Sequence, residues 1–232
     1  MLSLRYSDID AAMRAGFEHE FELKIVVQIA NGGAALRMDA IVKNLGSSPM
    51  PPFSFCFHNY IKVKNIRACE ISGLHSSPFF NALKKSSSTS GVPSTADLTA
   101  PPSQQQLAAT LRDSRKKRRD ELSERGKSST SVPNPYMTRI VYETDRIYAQ
   151  VKDDVIVHDE REHRIIAVKR ENLPDVVVWN PDMDTAKTIS DLGDAEYAQF
   201  VCVEPGAILT PAESLDPGAS WRCAQVIHHK LD

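Results

Sequence analysis

The chain has 232 residues, of which 41% are hydrophobic and 25% are charged, and its formal net charge at pH 7 is −2. This is the composition of a folded globular protein. A near-neutral charge argues against binding to nucleic acid or to an anionic membrane, because both need a basic surface. The sequence contains neither the apolar run of roughly 20 residues that a transmembrane helix needs nor the apolar core of a secretory signal. We therefore expect a cytoplasmic protein with no nucleic-acid partner and no membrane partner.

The first part of the chain predicts short antiparallel strands. Apolar and polar residues alternate over 21–30, and the sequence NGG at 31–33 predicts a tight turn because these residues tolerate positive φ. A second alternating run over 36–43 completes a hairpin with one solvent-exposed face. The segments 53–63 and 66–71 are further strand candidates, since they are rich in aromatic and β-branched residues.

Composition changes sharply at Lys84. Residues 84–132 are rich in Ser, Thr, Pro, Gln and charged residues and contain almost no aromatic residues. Such a segment buries too little apolar area to offset its ordering entropy, so it predicts a disordered insertion at the surface. Its basic run at 116–119 fits either a solvated linker or a motif for nuclear import or RNA contact. The linker is favoured, because motifs this short often match by chance.

Strand patterns return after the insertion. They cover seven segments: 138–143, 145–151, 154–158, 164–169, 175–180, 199–204 and 221–229. A short helix is predicted over 184–192, with Gly193 as its C-terminal cap. The sequence has no Gly-rich phosphate loop and no regular alternation of strands and helices. Short strands at close spacing therefore predict an all-β sandwich that occupies residues 1–232 as one domain.

Cysteine and histidine spacing gives no indication of a metal or redox centre. The four cysteines are widely spaced and form no Cys-x-x-Cys pair: Cys56, Cys69, Cys202 and Cys223. Reduced, mostly buried thiols are the simplest interpretation. Two histidine pairs are candidate ligands: His158 with His163, and His228 with His229. The first pair flanks a charged turn without a carboxylate in a recognised spacing, and the second points to opposite faces of a strand. We expect no metal, no organic cofactor and activity that a chelator leaves unchanged.

Four segments, in order, carry a family resemblance. FSFCFHNYIKV at 53–63 is followed by a Gly-Leu turn, and YETDRIY at 142–148 places an acidic residue before a Tyr-bearing strand. VVVWNP at 176–181 precedes an Asp-Leu-Gly segment, and QFVCVEP at 199–205 precedes a Pro-Gly turn and a Trp-bearing last strand. In this order the chain resembles the hexose-6-phosphate mutarotases, the glucose-6-phosphate 1-epimerase-like branch of the galactose mutarotase superfamily.

The resemblance implies an antiparallel β-supersandwich that binds hexose in a groove across one sheet. It also implies the reaction, which is the interconversion of the α and β anomers of an aldohexose 6-phosphate, with no metal and no organic cofactor. Such a reaction needs one group that takes the proton from O1 and another that protonates the ring oxygen as the C1–O5 bond breaks.

By the resemblance, Glu204 is the base at O1, His58 is the acid at the ring oxygen, and Asp145 binds sugar hydroxyls. Each has a plainer interpretation from the residues alone. Glu204 fits an edge carboxylate paired with a lysine, His58 a core histidine bonded to backbone, and Asp145 a turn residue between strands. Trp179 fits an anchor for the loop beside the site, or a ring that stacks on a sugar face.

The chain departs from the family at its N-terminal side. Family members have further chain before the strand at 21, which supplies part of the sandwich and, in phosphate-specific members, arginines for the 6-phosphate. Arg5 and Arg14 lie in no matching motif, so no phosphate ligand is assigned. A second function therefore stays open, namely a non-catalytic sugar-phosphate-binding or interaction protein derived from a truncated mutarotase sandwich. The joint presence of the three site residues favours the enzyme.

Overall fold

A computed structural model of the chain describes residues 1–83 and 136–231. This part of the chain forms two antiparallel sheets with a few short helices. The strands are β1 Leu2–Arg5, β2 Phe21–Ala30, β3 Ala35–Asn44, β4 Phe53–Cys56, β5 Tyr60–Lys62, β6 Cys69–Ser72, β7 Phe79–Asn81, β8 Thr138–Arg139, β9 Thr144–Tyr148, β10 Val155–Asp159, β11 Arg164–Glu171, β12 Asp175–Asn180, β13 Phe200–Ala212 and β14 Ser220–Leu231. The helices are α1 Ala11–Arg14 and α2 Asp182–Ala186, with 3₁₀ turns at Tyr6–Asp8, Asn31–Gly33, Ile66–Ala68 and Glu196–Gln199.

The larger sheet has eight strands in the order β1-β2-β3-β14-β11-β10-β6-β8. The predicted hairpin is confirmed as β2 and β3, and the turn between them has positive φ at Asn31, Gly32 and Gly33. The smaller sheet runs β4-β13-β12-β9-β7, and β5 also pairs with β13. The predicted all-β antiparallel sandwich is confirmed.

The core lies between the two sheets. Val176, Val178 and Val203 of the smaller sheet meet Val155 and Val157 of the larger sheet in one buried cluster. Each such side chain contributes about 1.5–3 kcal/mol when it is fully buried. The alternation along the strands therefore determines which residues of the smaller sheet face away from the core.

Strand β13 extends well beyond its predicted end at residue 204. The buried side chain of Asp175 supports the extension, because its Oδ2 accepts backbone N–H bonds from Ile208, Leu209 and Thr210 at 2.9, 2.7 and 2.9 Å. Near the same point the pairing of β13 with β4 changes register between Ala207 and Ala212. The carboxylate of Asp175 thus pairs with backbone N–H groups of β13 that would bond to a neighbouring strand in a regular sheet.

Three local predictions differ from the structure. The strand predicted over 138–143 is reduced to β8, and the segment 53–63 is divided into two strands. The prediction that Gly193 caps a helix over 184–192 is wrong, because α2 ends at Ala186. The predicted insertion at 84–132 lies outside the described residues. In the described part of the chain, no helix is long and apolar enough to cross a membrane.

Candidate active site

One face of the smaller sheet carries polar side chains at its centre. Val201 and Val203 of β13 lie in the core, so the alternate residues Cys202 and Glu204 project from the opposite face. The pairing of β13 with β12, and of β12 with β9, extends this face and adds Trp179 and Asp145 in the same row as Cys202. Asp145 and Glu204, which are distant in sequence, therefore lie on one face.

His58 lies in the gap between β4 and β5. Both strands pair with the same edge of β13 in one register, from Cys56 opposite Gly206 to Tyr60 opposite Cys202. Counting along that register places His58 opposite Glu204. Its Nδ1 is 3.0 Å from Glu204 Oε1.

The gap has a local cause in the sequence of β13. The N–H of Phe57 donates to the carbonyl of Pro205 at 3.0 Å, but proline has no N–H to return the bond. Two residues on, the side chain of Asn59 donates to the carbonyl of Val203 at 3.0 Å. The intervening pair, His58 and Glu204, occupies a non-hydrogen-bonded position, where opposed side chains approach most closely.

Asn59 also ties this segment to the other sheet. Its side-chain amide exchanges hydrogen bonds with that of Gln225 on β14, at 2.7 and 2.9 Å. Gln225 is fully buried. These two hydrogen bonds therefore hold the segment that carries His58 against the larger sheet.

The carboxylate of Glu204 is buried, with 7% of the residue exposed. Burial is the main cause that raises the pKa of Glu204 to about 7, and the negative charge of Asp145 adds to the rise. The thiols of Cys56 and Cys202 oppose it by donating to the carboxylate, with the Cys56 Sγ at 3.7 Å from Oε2. A protonated His58 at 3.0 Å would oppose the rise further, because it places a cation beside the carboxylate.

Aromatic rings form a wall beside this pair. The ring of His58 stacks on Tyr60 at 5.0 Å between centroids, and Trp179 meets both rings edge-on at 6.4 and 6.2 Å. Tyr60 is 59% exposed, so the wall is open to solvent. Apolar ring faces beside a polar pair suit a sugar, which has both C–H faces and hydroxyl edges.

Asp145 is half-buried on β9. Burial raises the pKa of its carboxyl, and the nearby charge of Glu143 adds to that rise. No hydrogen bond from the described residues 1–83 and 136–231 is among the causes that shift the pKa of this carboxyl. It is thus available to accept hydrogen bonds from a ligand.

The structure brings the three predicted site residues and Trp179 to one face, and it places the histidine pair His158 and His163 elsewhere. The Nε2 of His158 contacts the Ser72 hydroxyl at 3.1 Å on the larger sheet, and His163 occupies a turn with φ of 48°. Sequence reasoning missed Tyr60, Cys56 and the role of Cys202 as a neighbour of the carboxylate. Strand alternation was a usable signal for Cys202, since it lies two residues before Glu204.

A group able to hold a metal is also present at this face. The ligand atoms of His58, Cys202 and Glu204 all lie within 4.8 Å of one another. The expected reduced thiols agree with the structure, in which all four cysteines are free and three of them are buried.

The chain is similar to a known protein family and to two named proteins. A family model described as aldose 1-epimerase matches residues 3–228. A Cenchrus ciliaris protein named "Putative glucose-6-phosphate 1-epimerase" is 26% identical over 207 residues, which are 88% of this chain and 49% of that protein. An Escherichia coli protein of the same name is 41% identical over 61 residues, which cover 26% of this chain and 21% of that protein.

Solved structures share the fold. A "putative mutarotase" from Salmonella typhimurium superposes with a TM-score of 0.67 at 18% identity, over 99% of this chain and 59% of that one. A galactose mutarotase-like protein from Clostridium acetobutylicum gives 0.56 at 16% identity, over 99% and 62%. This chain therefore spans about half the length of the Cenchrus ciliaris relative and about three fifths of these two structures.

Proposed function

The chain belongs to the aldose 1-epimerase family, and from that premise we propose that it interconverts the α and β anomers of an aldohexose 6-phosphate. The observation that carries the proposal is the contact of 3.0 Å between the imidazole of His58 and the buried carboxylate of Glu204. Mutarotation needs a base and an acid on either side of C1, and these two groups supply one of each.

In the proposed reaction, Glu204 takes the proton from O1 while His58 gives a proton to the ring oxygen. The C1–O5 bond breaks, an aldehyde forms at C1, and rotation about C1–C2 presents its other face. Closure reverses both transfers, so no proton is gained or lost over the cycle. The sugar must enter between the two side chains, and the exposure of the His58 ring, at 58%, allows this ring to move aside.

Binding is proposed to involve Asp145 and the aromatic wall. The carboxylate of Asp145 would accept bonds from sugar hydroxyls, and Trp179 and Tyr60 would cover an apolar ring face. The preference for a 6-phosphate rests on the names of the relatives. Arg5 is paired with Glu22 at 3.1 Å and Arg14 lies over the ring of Tyr6, so neither is proposed as a phosphate ligand.

The test is the anomerisation of glucose 6-phosphate, followed by NMR exchange between the anomeric protons, with glucose as the comparison substrate. Glu204→Gln keeps the size of the side chain and removes the base, so it should slow the reaction by about 10²-fold or more. His58→Ala should have a similar effect. Glu213→Gln and His163→Asn alter exposed residues on other parts of the surface and serve as matched controls.

The outcomes separate the two functions. Full activity with Glu204→Gln would falsify the mechanism. A folded, unmutated chain that binds glucose 6-phosphate without anomerising it would support the alternative, a non-catalytic sugar-phosphate-binding protein. Equal rates with glucose and glucose 6-phosphate would contradict the proposed preference for phosphate. The cytoplasmic location and the absence of a cofactor stay predictions.

A further inference from the structure

Three side chains of different chemistry converge beside the wall of aromatic rings. The imidazole of His58, the thiol of Cys202 and the carboxylate of Glu204 each offer one ligand atom, and these atoms lie within 4.8 Å of one another. The nitrogen and one carboxylate oxygen are already 3.0 Å apart. In a tetrahedral zinc site, bonds of about 2.0–2.3 Å hold ligand atoms about 3.3–3.8 Å apart. Small rotations of the side chains would therefore bring the three atoms to zinc-binding distances.

The donor set selects among metals. Nitrogen, sulfur and a single carboxylate oxygen suit zinc and its thiophilic relatives, whereas magnesium and calcium require shells made of oxygen. A second thiol is close by, since Cys56 Sγ lies 3.7 Å from Oε2 of Glu204. Three protein ligands and one open position is the arrangement of zinc sites that remain accessible to solvent.

Charge and access favour a cation here. Within the described part of the chain, the only basic group in contact with Glu204 is His58, and no lysine or arginine pairs with this buried carboxylate. The negative charge of Asp145 acts on the same carboxylate. The side chain of His58 is 58% exposed, so one of the three ligands is in contact with solvent.

We propose that His58, Cys202 and Glu204 bind a zinc ion, and that the bound ion excludes the sugar. Binding releases the thiol proton to solvent and forms a zinc–thiolate bond, with no change of oxidation state. The ion would occupy both the imidazole nitrogen and the carboxylate that the proposed reaction requires. Zinc is therefore an inhibitor at this site, and a chelator should restore activity rather than remove it.

The test uses cadmium as a spectroscopic probe, because a cadmium–thiolate bond gives an ultraviolet charge-transfer band. Titration of the unmutated chain should produce the band with a break at one equivalent, and zinc should displace it. Cys202→Ser should abolish the band, whereas Cys69→Ser, which removes a buried thiol from β6, should leave it unchanged. Circular dichroism verifies that each variant is folded.

His58→Ala provides a second test that does not alter a buried position. Loss of one of three ligands should weaken zinc binding, measured by calorimetry, by about tenfold or more, and His163→Asn should not. A band that persists in Cys202→Ser, or zinc affinity unchanged in His58→Ala, would overturn the proposal, as would the absence of any band in the unmutated chain. These readouts require no catalysis, so failure of the mutarotase proposal would leave them unaffected.

Discussion

Asn59 and Gln225 exchange two hydrogen bonds across the interior of the sandwich, directly beneath the segment that carries His58. We predict that Gln225→Ala and Asn59→Ala each lower the free energy of unfolding by about 1–3 kcal/mol, because each removes both hydrogen bonds of the pair, and Asn59→Ala also leaves the buried amide of Gln225 without this partner. Gln28→Ala, on the exposed part of β2, is the matched control and should have little effect. Chemical denaturation measures all three. Equal stability of Gln225→Ala and Gln28→Ala would show that the pair contributes nothing.

The pH dependence of the reaction should follow Glu204. Burial raises the pKa of this carboxyl to about 7, and only the deprotonated form can take a proton from O1. We predict that kcat/KM falls on the acid side of about pH 7, tenfold for each further pH unit. A flat profile between about pH 5 and 8 would contradict the assignment of Glu204 as the base.

The same carboxylate should lower stability at alkaline pH. Its pKa in the folded chain is raised above the ordinary value of 4.5, so the stability it contributes is present below that value and is lost as pH rises through about 7. Glu204→Gln should therefore be more stable than the unmutated chain at pH 8, by about 1–2 kcal/mol after allowance for partial solvent screening. The difference should shrink as pH falls and vanish below about pH 4, where the side chain of Glu204 is neutral in the folded and in the unfolded chain. Thermal melts at the two pH values measure this, with Glu213→Gln as the control.

Asp145 should act on binding more than on the chemical step. Asp145→Ala removes an acceptor for sugar hydroxyls and leaves the acid and base in place, so we predict a rise in KM with a smaller change in kcat. Asp153→Ala, in an exposed turn, is the control. A fall in kcat at unchanged KM would instead assign Asp145 to the proton transfers.

Asp175 should be important for the shape of β13. Its side chain accepts three backbone N–H bonds from residues 208–210, and the residue is fully buried. Asp175→Ala would leave these donors unpaired, and we predict a loss of about 2–4 kcal/mol in the free energy of unfolding. Asp153→Ala again serves as the comparison. Denaturation curves that coincide for the two variants would show that the strand is held by other contacts.

The sequence predicts the strands in which apolar and polar residues alternate clearly. It does not predict the places where hydrogen bonds from side chains replace the backbone bonds between strands. The hairpin of β2 and β3 follows from alternation and an NGG turn, and β12 follows from its apolar run. The extension of β13 depends on Asp175, which is distant along the chain and has no local signature. The proximity of His58 to Glu204 likewise depends on strand pairing, which no local pattern records; only the family resemblance joined them. The contact of the Cys56 thiol with the carboxylate depends on the same strand pairing, whereas Cys202 could have been found from the alternation along β13.

The proline in β13 has a consequence for how this protein can vary. Pro205 cannot donate to Phe57, so the ladder beside the acid and base lacks one hydrogen bond. A residue with an N–H at this position could restore that bond and stabilise the sheet, but it would also hold the backbone of His58 as rigidly as that of Glu204. In the proposed reaction the imidazole of His58 moves aside to admit the sugar, so stability and activity would place opposite demands on residue 205.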